Sequence, residues 1–197
     1  MIRLGISIGT TYSTDGPMGA REGPRFVLSQ ARAAARAGLD TLSLGDHHST
    51  GPMGYVQNVP MLGRILAEWP DRQLGCLFLV PLWHPVLMAE QIGTLAAMSS
   101  GRFIVQTGLG AGEGQFNAMG VDLRKGGPRL EEGIQLVQAL LRGETVSSEA
   151  YGFHGARVAP LPPDGTEWWV GAGVQTAIDR AARLGDCWYG NADLTPA

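Results

Sequence analysis

A chain of 197 residues with 44% hydrophobic and 17% charged side chains can bury a sizeable core as one globular unit, which excludes a disordered or fibrous polymer. Its 15 basic and 18 acidic residues, net charge -3, are interspersed without a long run of either sign; no basic patch points to nucleic acid or an anionic membrane, and small molecules are the expected partners. Cys76 and Cys187 lie far apart with no metal-ligand spacing, and MIRLGISIGTTY lacks the basic segment, long apolar run and cleavage site of a secretory leader, so a cytoplasmic protein with reduced thiols and no metal is expected.

Periodicity predicts an alternation of strands and helices. IRLGISIG (2–9) reads as a first strand, followed by a long loop and an Ala-rich helix over 23–38, with Pro24 near its start and Gly38 past its end. DTLSLG (40–45) is strand two, and apolar residues at helical spacing over 58–69 run until Pro70 stops them. QLGCLFLVPL (73–82) is strand three, apolar throughout and so buried on both faces, as in a parallel sheet. A helix over 85–101 opens with Pro85 and closes before Gly101; strand four (102–110) runs into a glycine loop, and helix four covers 128–143. The polar stretch 144–165 has room for a short hairpin, after which strand five (166–173), helix five (174–185) and strand six (186–191) complete the chain.

Regular β-then-α order implies parallel strands joined by right-handed crossovers. An open doubly wound sheet wants a glycine-rich phosphate turn directly after strand one, but GISIGTTYSTDGPMG is Thr- and Ser-rich and too long for that turn. A barrel gathers the loops after its strands on one face, where GDHH, PLWHP and GLGAGEG all fall. The expected fold is therefore an α/β barrel of the TIM (β/α)8 type, one domain over 1–197, with six parallel strands in the order one to six. A closed barrel needs about 250 residues. The chain is thus expected to be truncated after strand six, part of a longer protein, with two strand-helix units absent and two open sheet edges.

Three loops hold the candidate chemistry. In GDHH, adjacent residues leave the strand end in different directions, so His47 and Asp46 can offer a titratable group and an acceptor at the mouth, or the loop is simply solvated. In PLWHP, Pro81 and Pro85 bracket Trp83 and His84, stiffening either an aromatic wall of the mouth or an ordinary strand-to-helix turn. Glycines at 108, 110, 112, 114 and 120 allow close backbone approach to a ligand without matching a nucleotide-binding pattern. The small residues Gly171, Ala172 and Gly173 before helix five form a ready phosphate turn or a tight packed one.

Taken in order, GDHH, PLWHPVLMAEQIGTLAAMSSGRF, GLGAGEGQFNAMGV, PRLEEGIQLVQALLRGE and WWVGAG…AARLGDCW resemble the bacterial luciferase-like oxidoreductases, the HP-to-SGRF segment (84–103) being the most specific part. The resemblance implies a TIM barrel that binds flavin mononucleotide (FMN) or the deazaflavin coenzyme F420 at the carboxyl ends of its strands. Such enzymes transfer hydride or, in some members, activate oxygen for monooxygenation. By position it implies His47 as the histidine facing the reacting ring, with Asp46 beside it. It also implies a non-prolyl cis peptide between Cys76 and Leu77 against which the ring bends, costing about 3 kcal/mol. Gly108, Leu109 and Gly110, with the Gly171, Ala172 and Gly173 turn, match the family's cofactor-phosphate regions.

FMN-binding luciferases place an arginine where this sequence has Leu109. Without that fork donor a phosphate dianion is bound less well than a phosphodiester held by backbone N–H groups, so F420 is the expected cofactor and FMN the alternative. Asp46, where many flavin members carry Glu, leans the same way. The resemblance further implies a homodimer through the second and third helices. Two other readings stay open on the residues alone: a flavin-binding module without turnover, and an open-sheet phosphate-binding domain.

Overall fold

The computed structural model describes residues 2–13 and 19–190. Ten strands and six α-helices alternate along the chain: β1 (Gly5–Ile8), β2 (Thr11–Ser13), α1 (Glu22–Arg36), β3 (Thr41–Leu44), β4 (Met53–Tyr55) and α2 (Asn58–Ile65) form the first part. Then come β5 (Gln73–Leu79), α3 (Pro85–Met98), β6 (Phe103–Gly108), α4 (Glu113–Ala118) and α5 (Gly126–Leu141). The remainder is β7 (Val146–Ser148), β8 (Phe153–Ala156), β9 (Thr166–Gly171), α6 (Gln175–Leu184) and β10 (Cys187–Tyr189).

Six strands form one sheet in the order β1-β3-β5-β6-β9-β10, every neighbouring pair parallel. That order follows the chain, as barrel winding requires, and the sheet curls into a half-barrel. The register separates the two faces: Ile8, Leu44, Cys76, Val105 and Trp168 stand in one row across five strands, whereas Ser7, Ser43, Gly75, Ile104 and Glu167 stand in the next. The first row belongs to the core, covered by the helices through Val27, Ala31, Met61, Ile65, Met88, Ile92, Ile134 and Val137. The second row faces the hollow of the half-barrel, a cavity of about 460 Å³ lined by Ser7, Thr41, Ser43, Ile104, Gln106 and Trp169 among others.

Local signals account for the helix ends. The buried positions of α1 include Val27, Ala31 and Ala34, one face at helical spacing, and Gly38 takes φ +77 just past the end. There the Gly38 amide donates to the Ala35 carbonyl and the Leu39 amide to that of Ala34, the paired bonds of a glycine-terminated helix. Pro85 opens α3 after an extended His84, where its missing N–H is of no consequence. α2 passes into a 3-10 turn over Leu66–Glu68 before Pro70.

The expected hairpin in 144–165 is the antiparallel pair β7–β8. Strand six is shorter than expected, and Asn191, to which it was expected to run, lies outside the described residues. Two elements escape pattern reading. β2 and β4, in segments expected to be loops, pair antiparallel, with Tyr12 against Gly23 and Gly54; α4 folds within the glycine loop because Phe116 buries completely beneath it.

Candidate active site at the carboxyl ends of the strands

The GDHH loop leaves β3 with its three ionisable residues turned three ways. Asp46 does not reach the mouth. Its carboxylate is fully buried, and Oδ2 accepts the Leu79 amide at 2.8 Å and the Trp83 indole N–H at 2.7 Å. The expectation that it shares the mouth with His47 is thereby corrected: a strand end alternates its side chains, so the residue that continues the inward face is drawn to the buried donors beneath. His47 is the exposed member, its ring edge-on to Tyr55 at 5.3 Å. His48 turns back inward, edge-on to Trp83 at 5.7 Å, with Nε2 3.3 Å from Asp46 Oδ1. That approach lacks hydrogen-bond alignment, and both atoms are buried without another partner.

The glycine loop meets this loop through one side chain. Gln115 Oε1 accepts the His48 amide at 2.7 Å, while Nε2 donates to the Ala111 carbonyl at 3.3 Å. Gly110 and Gly112 take φ of +82 and +86, conformations that disfavour any side chain, and a Cβ at Gly110 would sit 3.3 Å from Leu79 and 3.6 Å from Gln115 Nε2. At Gly108 a Cβ would lie 3.3 Å from Leu79 Cδ2. Leu109 stands 39% exposed on the rim.

Beyond the glycine loop, Gly171 ends β9 so close to β6 that a Cβ would sit 3.0 Å from the Thr107 carbonyl. The Ala172 amide donates to the Tyr189 carbonyl at 3.2 Å and its carbonyl accepts the Trp188 indole at 2.9 Å, so β10 holds this turn; Gly173 lies exposed before α6. The sites therefore form one rim: the histidine loop bonded through Gln115 to the glycine loop, and the end of β6 against the Gly171 turn.

Cys76 does not belong to that rim. Its thiol is wholly buried in the core on the helix-covered face, and burial, with the Asp46 charge adding, pushes it well above its ordinary value. Nor is the Cys76–Leu77 peptide cis: among the described residues the cis bond is Ala159–Pro160. Both residues keep regular parallel pairing, Cys76 between Leu44 and Val105 and Leu77 with Gln106, so the trans form, favoured by about 3 kcal/mol at a non-prolyl bond, is retained. Leu77 itself is half-buried on the hollow side, and its carbonyl accepts the Asn58 carboxamide at 2.7 Å.

Sequence reading misses two participants, Tyr55 and Gln115. Burial above all, with the nearby Asp46 carboxylate adding, pushes the Tyr55 phenol up to about 12, so it remains a neutral donor beside His47. Gln115 gave a signal only by its place within the glycine stretch. Among the described residues no three His, Cys, Asp or Glu side chains are grouped to hold a metal ion, and no helix is long and apolar enough to cross a membrane.

Comparison with known proteins gives the family and the fold. The model of the luciferase-like monooxygenases matches residues 2–197. The chain belongs to that family. Among curated relatives, an F420-dependent glucose-6-phosphate dehydrogenase of Beutenbergia cavernae is 31% identical over 176 residues, covering 83% of this chain and 51% of that protein. A protein of the same description from Nakamurella multipartita is 29% identical over 178 residues, with the same shares covered. The chain thus spans about half the length of these relatives. Two solved luciferase-like structures share the fold. An F420-dependent secondary alcohol dehydrogenase bound to an F420-acetone adduct superposes with TM-score 0.78 at 18% identity, covering 95% of this chain and 57% of that one. The FMN-bound oxygenating constituent of 3,6-diketocamphane monooxygenase from Pseudomonas putida gives 0.73 at 17%, covering 86% and 51%.

Proposed function

We propose that this chain carries most of the cofactor site of an F420-dependent oxidoreductase acting on a small organic substrate. The observation that carries the proposal is the joining of the histidine loop to the glycine loop through the His48 amide and Gln115, while the neighbouring His47 ring stays exposed and Gly110 and Gly112 take φ of +82 and +86. The luciferase-like family and the F420-dependent relatives support it. The side-chain-free approach at Gly108, Gly110 and Gly171 suits a flat-ringed ligand with a phosphate.

When bound, a reduced deazaflavin supplies a hydride, or its oxidised form takes one up. The protein's part is to hold and to protonate. The Gly108–Gly110 segment and the Gly171–Gly173 turn before α6 would hold the phosphate with backbone N–H groups, the Ala172 amide apart, which is given to the Tyr189 carbonyl. Leu77, half-buried on the hollow side, would offer the ring an apolar contact, and the His47 imidazole would donate or accept the proton that accompanies hydride transfer. Leu109 offers no charge to a phosphate dianion, which favours the deazaflavin over FMN.

Titration of F420 and FMN onto the purified chain, followed spectrally, tests the reading. Tighter binding of F420 is expected, with substrate-dependent reoxidation after anaerobic reduction. Tighter binding of FMN reverses the cofactor assignment. Bound cofactor without reoxidation by any carbonyl or alcohol tried makes the chain a binding module.

A further inference from the structure

The histidine loop is pinned at three successive residues and free at one imidazole. Asp46 takes the Leu79 amide and the Trp83 indole on one oxygen. The His47 carbonyl accepts Gln57 Nε2 at 3.1 Å, and the His48 amide donates to Gln115 Oε1 at 2.7 Å. The His48 ring packs edge-on to Trp83, whose own ring is edge-on to Phe78 at 5.1 Å. Of the three ionisable side chains only that of His47 is exposed. Such tethering far exceeds what a solvated loop requires, and it is what a side chain needs if its direction is to be set before a ligand arrives.

Gln115 adds a second property. Its carboxamide is used at both ends, the oxygen on the histidine loop and the nitrogen on the Ala111 carbonyl of the glycine loop. It rides on α4, which Phe116 anchors by full burial. The glycine backbone at Ala111 and the His48 amide are thus joined through one side chain bonded at both ends.

We propose that Asp46 and Gln115 are positioning residues that fix the His47 imidazole at the mouth, and that Gln115 couples the histidine loop to the glycine loop, so that a ligand held by one orders the other. The second half rests on the reading of the mouth as a cofactor site. Asp46 acts through Trp83 and β5 and does not touch the ligand.

Amide hydrogen exchange and assigned resonances of the full chain decide this without turnover. Gln115→Glu keeps the acceptor oxygen; Gln115→Leu removes it, and Gln115→Met stands in should the leucine variant fail to fold. Exchange at the His48 amide is expected to rise at least about tenfold in the Leu or Met variant and to stay within about threefold of the parent in Gln115→Glu. Asp46→Asn, which keeps one acceptor oxygen, is expected to preserve the Trp83 indole resonance that Asp46→Leu displaces. On addition of F420 or FMN, the Gly110 and His48 amides are expected to shift together in the parent, while only Gly110 shifts in Gln115→Leu. Unchanged His48 exchange in both apolar variants, or joint shifts that persist in them, overturns the proposal. If neither cofactor binds the parent, the cofactor-site reading falls while the exchange data still decide whether Gln115 holds the loop.

Discussion

The two ends of the same six strands are built differently. At the amino end polar groups close on one another: Arg3 donates to Gln73 Oε1 at 2.6 Å, Gln73 Nε2 to the Arg102 carbonyl at 2.8 Å, and the Trp169 indole to Glu167 Oε1 at 2.8 Å. Asp186 Oδ2 takes the Trp168 amide at 2.8 Å. Although burial opposes it, bonds from Trp169 and Gln73 and the charges of Arg3 and Arg102 hold Glu167 below its ordinary range. At the carboxyl end, Thr10, Asp46, His48 and Thr107 each keep a buried polar atom without a hydrogen-bond partner, and the backbone narrows to glycine. At one end the polar groups are paired, and at the other several buried ones are not. In barrel enzymes stability is built below and chemistry above, and the proposed cofactor site follows the same division.

The comparison breaks most visibly if damage at one end affects the function of the other. Phe103, almost wholly buried where β6 begins, is expected on replacement by Ala to cost about 3–5 kcal/mol in denaturant unfolding. Cofactor affinity of the remaining folded protein should be unchanged; a loss of affinity in proportion to stability would show that the ends are not independent. At the other end, His47→Ala should lower turnover about 100-fold or more while cofactor affinity and melting temperature hold nearly constant. If binding disappears instead, the ring is a ligand contact and not a proton carrier.

Leu109→Arg sharpens the upper end further. A guanidinium on the rim should raise affinity for FMN about tenfold relative to F420, read by parallel titrations, because a charged fork pairs with a dianion. An equal change for both cofactors would place the phosphate elsewhere. The smallest effect belongs below, where Glu68 accepts Arg32 Nη2 at 2.8 Å and Arg64 at 3.0 Å, bonds that hold its carboxyl at about 2 in place of 4.5. A depressed folded-state value contributes stability that is present above pH 4.5 and lost as the pH falls toward about 2. Glu68→Gln should lower stability by a small, constant amount above about pH 4.5 and flatten the acid limb below it, where the wild-type contribution fades; an acid limb as steep as the parent's would mean that other groups set it.

Much of the architecture was legible before any coordinates. The nearly continuous apolar run over 73–82 announces the largely buried strand β5, and Gly38, Pro70 and Pro85 mark helix ends by backbone chemistry that needs no neighbours. The β2–β4 pair was not legible because each is only three residues and their partnership spans forty positions. The short helix α4 was hidden among glycines, its cause being the burial of Phe116.

By itself, then, the sequence determined the winding order, the helix boundaries and the set of loops that share the carboxyl face, since these follow from periodicity, from Pro and Gly stereochemistry and from the handedness of parallel crossovers. Only tertiary structure decided which way each loop residue points. Asp46 went inward because the Leu79 amide and the Trp83 indole, 33 and 37 positions away, needed an acceptor; Cys76 joined the apolar face; and Gln115 reached a histidine amide 67 positions earlier. Hydrogen-bond partners so distant leave no trace in local spacing. They exist only once packing has brought the strand ends together and a buried donor must find an acceptor or remain unsatisfied.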